Sequence, residues 1–104
     1  MYRDIRTITN GGTEPLVVWL EPWVEEVQIA PGMSAVFIGE SGLPGELEVL
    51  ESSRPCVFGW SGSSMRVEVN GEVVWTSYLP VPNFGTSVRT LLNVVGLRSD
   101  ADEA

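Results

Sequence analysis

The chain has no histidine, no lysine and a single cysteine among its 104 residues. Each gap removes a kind of chemistry. Without an imidazole there is no Ser–His–Asp or Cys–His pair to activate a nucleophile, and no imidazole to ligate a metal. Cys56 has no partner in the chain for a disulfide. It stands in "PCVFGW" among apolar neighbours, with no base to draw off its proton, and this predicts a small core hydrophobe rather than a reactive thiol. One cysteine and three scattered methionines build no zinc or copper site, and no D-x-D-x-D-G run offers a calcium loop. The glycine-rich pieces "NGG", "SGLPG" and "SGSS" lack the spacing of a phosphate-binding loop. The expectation is a protein with no metal and no cofactor.

Long apolar runs are missing too. Nothing approaches the roughly 20 residues that span a bilayer, and the opening "MYRDIRTITN" has no apolar core of a signal peptide. A soluble, cytoplasmic protein is expected. All six basic residues are arginines, set against 14 acidic ones, for a net charge of −8. Setting aside Asp100, Asp102 and Glu103 of the tail leaves 11 acidic against six basic residues, or −5. Such a body is repelled by phosphate backbones and anionic lipid, so neither nucleic acid nor a membrane surface is an expected partner.

What is present is a rhythm of short β-type segments separated by turn residues, the pattern of a sandwich or barrel. "RDIRTIT" is a strand closed by "NGGTEP", where Asn10 and the glycines can supply positive φ. "LVVWL" is apolar throughout and reads as a strand buried on both faces or nearly so. "WVEEVQIA" leads to Pro31–Gly32, a type II turn pattern, and then to "SAVFIG". "ELEVLE" alternates, with Glu46 and Glu48 on one side, Leu47 and Val49 on the other. "MRVEVNGEVVWTS" is the strongest local signal, because Asn70–Gly71 calls for a two-residue type I′ hairpin. Pro80 and Pro82 keep "YLPVPNFG" out of any central strand. Val88, Leu91, Leu92 and Val95 then fall at helical spacing, predicting a short helix over 86–96 with Thr86 or Ser87 as cap and Gly96 as stop. Residues 97–104 read as an acidic, disordered tail.

Carboxylate pairs are the only catalytic kit left. Glu25 and Glu26 are adjacent on a strand and point to opposite faces, while Glu46 and Glu48 share what reads as a solvent face. Neither pair suggests the two-carboxylate cleft of a glycosidase, so no enzymatic activity is expected. Four tryptophans remain. Trp19 and Trp75 lie inside apolar strands and read as core. Trp23 and Trp60 sit beside Pro22 and Gly59 at segment ends; core is the first reading for these rings too, and they are the candidates for a binding surface, with Glu21 of "LEPW" beside them. Against that stands a corner reading: Pro22 cannot donate to a ladder, and Trp23 folds over the end of the core. The acidic strands "WVEEV", "ELEVLE" and "VEVNGE" suggest one acidic face.

The segment "ITNGGTEPLVVWLEPWVEEVQIAPGMSAVFIG" resembles the front half of cupredoxin-like and immunoglobulin-like sandwiches, and "LEPW" ahead of "PG" resembles small uncharacterised bacterial β-sandwich proteins. The resemblance covers about a third of the chain. It implies the fold. Cupredoxins hold copper on two histidines, a cysteine and usually a methionine; with no histidine here, Cys56 and Met65 inherit no ligand role.

The expectation is therefore a mainly β protein: one antiparallel β-sandwich of about eight strands, cupredoxin-like or immunoglobulin-like, over residues 1–96 with its helix at the end. The expected function is a non-catalytic protein-interaction or assembly module, binding a protein partner or itself, with Glu21, Trp23 and Trp60 as contacts. A carbohydrate- or small-ligand-binding module stacking on Trp23 and Trp60 is the alternative. An acidic inhibitor or immunity-type protein docking on a basic partner comes third.

Overall fold

A computed structural model describes residues 1–83. The helix expected over 86–96 and the tail over 97–104 lie outside the described residues. The described chain is β throughout: β1 (Tyr2–Thr9), β2 (Leu16–Glu21), β3 (Glu25–Ile29), β4 (Ser34–Ser41), β5 (Glu48–Leu50), β6 (Cys56–Phe58), β7 (Ser64–Val69) and β8 (Glu72–Thr76). They form two four-stranded sheets, ordered β1-β4-β7-β8 and β3-β2-β6-β5.

The turns follow from the residues that make them. Asn70 and Gly71 both take positive φ, at 54° and 81°, closing the β7–β8 hairpin as a type I′ turn does. Gly32 has φ 79°, and the Met33 N–H donates to the Ala30 carbonyl at 3.0 Å across the Pro31–Gly32 turn. The "NGG" loop differs from its expected form: Asn10 keeps an ordinary φ and acts instead through a buried side chain. Its Nδ2 donates to the carbonyls of Glu14 and Ile29, at 2.7 and 2.8 Å, and its Oδ1 accepts from the Gly12 N–H at 2.9 Å. The Asn10 backbone completes the tie, donating to the Met33 carbonyl and accepting from the Gly32 N–H. One residue thus fastens the β1–β2 loop to the β3–β4 turn.

Strands alternate as their sequences require. Val18 and Leu20 of β2, Val27 and Ile29 of β3, Ala35 and Phe37 of β4, Val57 of β6, and Met65 and Val67 of β7 form one core shared by both sheets. The opposite face of β6 is buried as well: Cys56 and Phe58 join Val81 in a second cluster, with Trp19, Trp23 and Leu50 packed against it. Trp19 therefore lies half-buried in this second cluster, where the sequence pattern had placed it in the main core.

One pairing departs from the all-antiparallel expectation. β2 and β6 run parallel, with Trp19, Leu20 and Glu21 opposite Cys56, Val57 and Phe58. The long excursion between them, through β3, β4 and β5, provides the crossover that a parallel pair needs.

The two edges of the first sheet are finished differently. β1 turns Asp4 and Arg6 toward the inside, a charged lining that discourages strand addition; Asp4 Oδ2 accepts from the Leu47 N–H at 2.9 Å and pairs with Arg6 Nε at 3.1 Å. Across the outer face, Arg3, Glu40, Arg66 and Glu68 form a chain of ion pairs. The hydrogen bond from Arg3 holds the Glu40 carboxyl below its usual range against a desolvation push the other way, with the charges of Arg3 and Arg66 adding to the lowering. β8 carries a bulge instead. Val67 faces Trp75 and Glu68 faces Val73, leaving Val74 without an opposite number.

Candidate functional surface

The bulge decides what β8 shows to solvent. Strict alternation would turn Val73 inward with Trp75, as the sequence suggests. The extra residue puts Val73 beside outward-facing Glu68 and Val74 at the strand's open edge, so both valines are exposed. Val74 retains 54% of its surface in water.

Opposite this edge lies β3, the edge of the second sheet. Between them runs a groove of about 330 Å³ lined by Glu26, Val27, Gln28, Ile29, Ala30, Met33, Val69, Val74 and Trp75. Among the described residues Glu26 is its one charged lining residue. A second groove, of about 370 Å³, opens on the other flank along Thr7, Ile8 and Val49, but it carries the charges of Arg6 and Glu51 and the hydroxyls of Thr7, Thr9 and Ser52.

The "LEPW" stretch lies next to the apolar groove, which it meets through the contact of Trp23 with Trp75. β2 stops at Glu21, the Glu21–Pro22 peptide is cis, and Pro22–Trp23–Val24 is the three-residue connection into β3. Trp23 is half-buried and bridges the two hydrophobic clusters. Its ring meets Trp75 edge-on, with centroids 5.5 Å apart and planes at 65°, and its Nε1–H donates to the Leu79 carbonyl at 2.9 Å. The Glu21 carbonyl accepts the Gly59 N–H at 3.0 Å.

Val24 is the anomaly. It has φ 58°, in the left-handed region that β-branched residues rarely enter, and it is 69% exposed. A left-handed third residue is usual in such hairpin connections, but glycine or asparagine normally supplies it. The conformation costs a non-glycine residue ~1–2 kcal/mol, against ~0.5–1 kcal/mol for the extra freedom glycine brings to the unfolded chain. Val24→Gly is therefore expected to stabilise the fold by ~0.5–1 kcal/mol, read as a higher urea midpoint at unchanged m-value. An unchanged or lower midpoint would mean that the tip is not strained.

Around this tip the apolar surface continues. Leu79, at 71% exposure, is tied to Trp23 through its carbonyl, and its neighbour Tyr78 is 94% exposed. Exposed Val24 and Val74 are thus the chain neighbours of the half-buried Trp23 and Trp75, and exposed Leu79, with Tyr78 before it, is hydrogen-bonded to Trp23.

Of the three expected contact residues, Trp23 and Glu21 stand at this corner and Trp60 does not. Trp60 is only 7% exposed, inside the main core. Its ring occupies space left by two glycines: a Cβ on Gly39 would fall 2.6 Å from the ring edge, and one on Gly45 would lie inside the ring's own volume. Its Nε1–H donates to the Leu43 carbonyl at 2.9 Å. A ring held this way offers no face for stacking.

The acidic strands do not gather on one face either. β3 and β5 are opposite edges of the second sheet, and Glu68 is bonded to Arg66 on the outer face of the first. The free acids nearest the apolar groove are Glu25, beside Val24, Glu26 on its wall, and Glu72, opposite Val69. Tyr78 and Leu79 carried little sequence signal, because "YLPVPNFG" reads as a proline-broken connection and the Trp23 hydrogen bond that positions it spans 56 residues.

Among the described residues no three carboxylate or thiolate groups are gathered as a metal would need, and no helix is long and apolar enough to cross a membrane. Comparison with known proteins returns no matching family model, no matching curated sequence and no matching solved structure.

Proposed function

We propose that this protein is a non-catalytic interaction module that binds a protein partner through the apolar surface at the open β3–β8 flank. The observation that carries the reading is the double exposure of apolar side chains by irregular backbone: the bulge presents Val74, and a left-handed residue presents Val24. Strained or irregular backbone that exposes hydrophobes is costly in a monomer, and several apolar side chains exposed beside a groove are what an interaction site requires. Trp23 and Trp75 supply the rigid, half-buried aromatic centre around which contact energy concentrates. The carbohydrate reading loses its support, since Trp60 is buried and Trp23 meets Trp75 edge-on.

The two sheets, sharing one core, are read as a β-sandwich. From β2 onward the chain changes sheets in the same rhythm as the seven strands of an immunoglobulin constant-type domain. The frame is modified: β3-β2-β6-β5 exchanges the first two strands of the A-B-E-D order, and β1 is added beside β4 of the C-F-G order.

The test uses the paired variant Val74→Asp/Leu79→Asp, with Ile5→Asp on the opposite edge as control. Partners captured from host extract by the wild type and the Ile5 variant, and lost with the double variant at unchanged melting temperature, support the surface. Equal capture by all three chains would refute it.

A further inference from the structure

We propose that the β3–β8 groove takes an extended segment of the partner, apolar at its centre and carrying lysine or arginine on both flanks. This rests on the interaction reading above and specifies its ligand. β3 and β8 are the open edges of their sheets, so each presents backbone N–H and C=O groups with no neighbouring strand among the described residues. An added strand would satisfy one such row, and its alternate side chains would enter the groove. The floor is apolar: Val27, Ile29, Met33, Val69 and Trp75 face the space, so the segment's inward side chains are apolar as well.

The flanks follow from charge. Glu25 stands at the Trp23 end of the groove, Glu26 on its wall, and Glu72 at the far end opposite Val69. No arginine among the described residues lines it. Arg3, Arg6 and Arg66 are engaged with Glu40, Asp4, Glu46 and Glu68, and Arg54 lines a neighbouring depression beside Trp19, on the other side of Glu26. Among the described residues the groove therefore has acid on its wall and at both ends, and no arginine in its lining. A second copy of this chain brings the same acids and a further −8 of charge, so self-pairing sets like charges against each other at both ends. A basic-flanked segment is attracted at the same points. β1, the alternative edge of the first sheet, carries Asp4 and Arg6 on its inner side and favours neither charge.

The experiment titrates full-length protein into two dye-labelled peptides with one alternating valine–threonine centre, flanked by lysine pairs in one and glutamate pairs in the other, followed by anisotropy. The lysine-flanked peptide is expected to bind at least about tenfold more tightly, to weaken on raising salt from about 50 to 500 mM, and to lose its advantage on Glu26→Lys/Glu72→Lys. Equal affinity for the two peptides overturns the proposal. So does failure of both to bind while Val74→Asp/Leu79→Asp still abolishes host capture; in that case the interaction reading stands and only the ligand class falls. A wild-type dimer in light scattering that Val74→Asp dissolves assigns the groove to a second copy and overturns the proposal. A photo-crosslinker at position 74 that reacts within the isolated chain with residues 84–104 assigns it to the chain's own end, with the same consequence.

Discussion

Trp60→Ala is expected to remove ~3–5 kcal/mol of stability, the range for deleting a buried aromatic side chain. The upper part of that range applies here because the surroundings resist collapse. Gly39 and Gly45 have no side chains with which to fill the space, and Leu47, which lies next to Trp60 at Gly39, is itself fully buried. The Leu43 carbonyl also loses its donor, adding to the cavity term. A domain of this size holds only ~5–15 kcal/mol in all, so the variant should sit near its unfolding threshold at physiological temperature. Urea denaturation followed by far-ultraviolet circular dichroism measures the loss. Trp60→Phe separates the two terms: it keeps most of the ring volume and should cost ~1–2 kcal/mol, mainly for the lost hydrogen bond and the shape mismatch. A loss below ~1 kcal/mol for the alanine variant would mean that the indole is not packed as described.

The second large effect is expected at Asn10. Its Nδ2 group serves two carbonyls, Glu14 and Ile29, in a site only 4% exposed. Asn10→Asp keeps the shape and replaces both donors with acceptors. At neutral pH a carboxylate then faces two carbonyl oxygens with only the Gly12 N–H to compensate it, and burying such a charge costs ~3 kcal/mol or more. The sign with pH follows. Burial and the facing carbonyls raise the folded-state pKa of the new aspartate above its unfolded value of about 3.9. The variant is therefore least destabilised at acid pH, where the protonated carboxyl can donate one bond, and loses stability as pH rises through the window between the two values. Denaturation at several pH values, each compared with wild type at the same pH, measures the difference. A pH-independent difference would show that the side chain reaches solvent. Asn10→Ala, lacking both the charge and the bonds, should lose ~2–3 kcal/mol with no such slope.

Both residues show where sequence reading stops. The local chemistry of Asn70–Gly71 and Pro31–Gly32 carries its own geometry, so those turns are legible from two residues each. The strand segments are legible too, because apolar alternation depends only on neighbours. What decides Trp60 is the absence of side chains at Gly39 and Gly45, residues 21 and 15 positions away that face it only in the folded chain. Beside Gly59 in sequence, the ring reads as core or as a contact candidate, with core favoured; in space it is core. Asn10 was legible as a turn residue, and its buried bonds depend on Ile29 arriving from another strand. The parallel β2–β6 pairing leaves no mark in either segment, since both are simply short and apolar.

The surface was half legible. "LEPW" marks a corner: Pro22 ends β2, Trp23 spans the two clusters, and the hydrogen bond to Leu79 holds the following connection over it. It also marks an edge of exposed surface, because Val24 and Leu79 flank that ring in solvent. The other half depends on one bulge in β8. A single extra residue moves Val73 and Val74 out of register, and "GEVVWTS" reads equally well with or without it. If the proposed surface binds a partner, the gain in stability from Val24→Gly has a functional counterpart: the variant lacks an exposed apolar side chain there and is expected to bind more weakly, a trade between stability and activity.

The proposed surface is tested most directly by photo-crosslinking in the host with benzoylphenylalanine placed singly at positions 24, 74 and 5. The expected result is a discrete protein adduct from positions 24 and 74, shared between them and missing at position 5 on the opposite edge. Adducts from position 5 alone, or the same background from all three, would contradict an interaction surface on the β3–β8 flank.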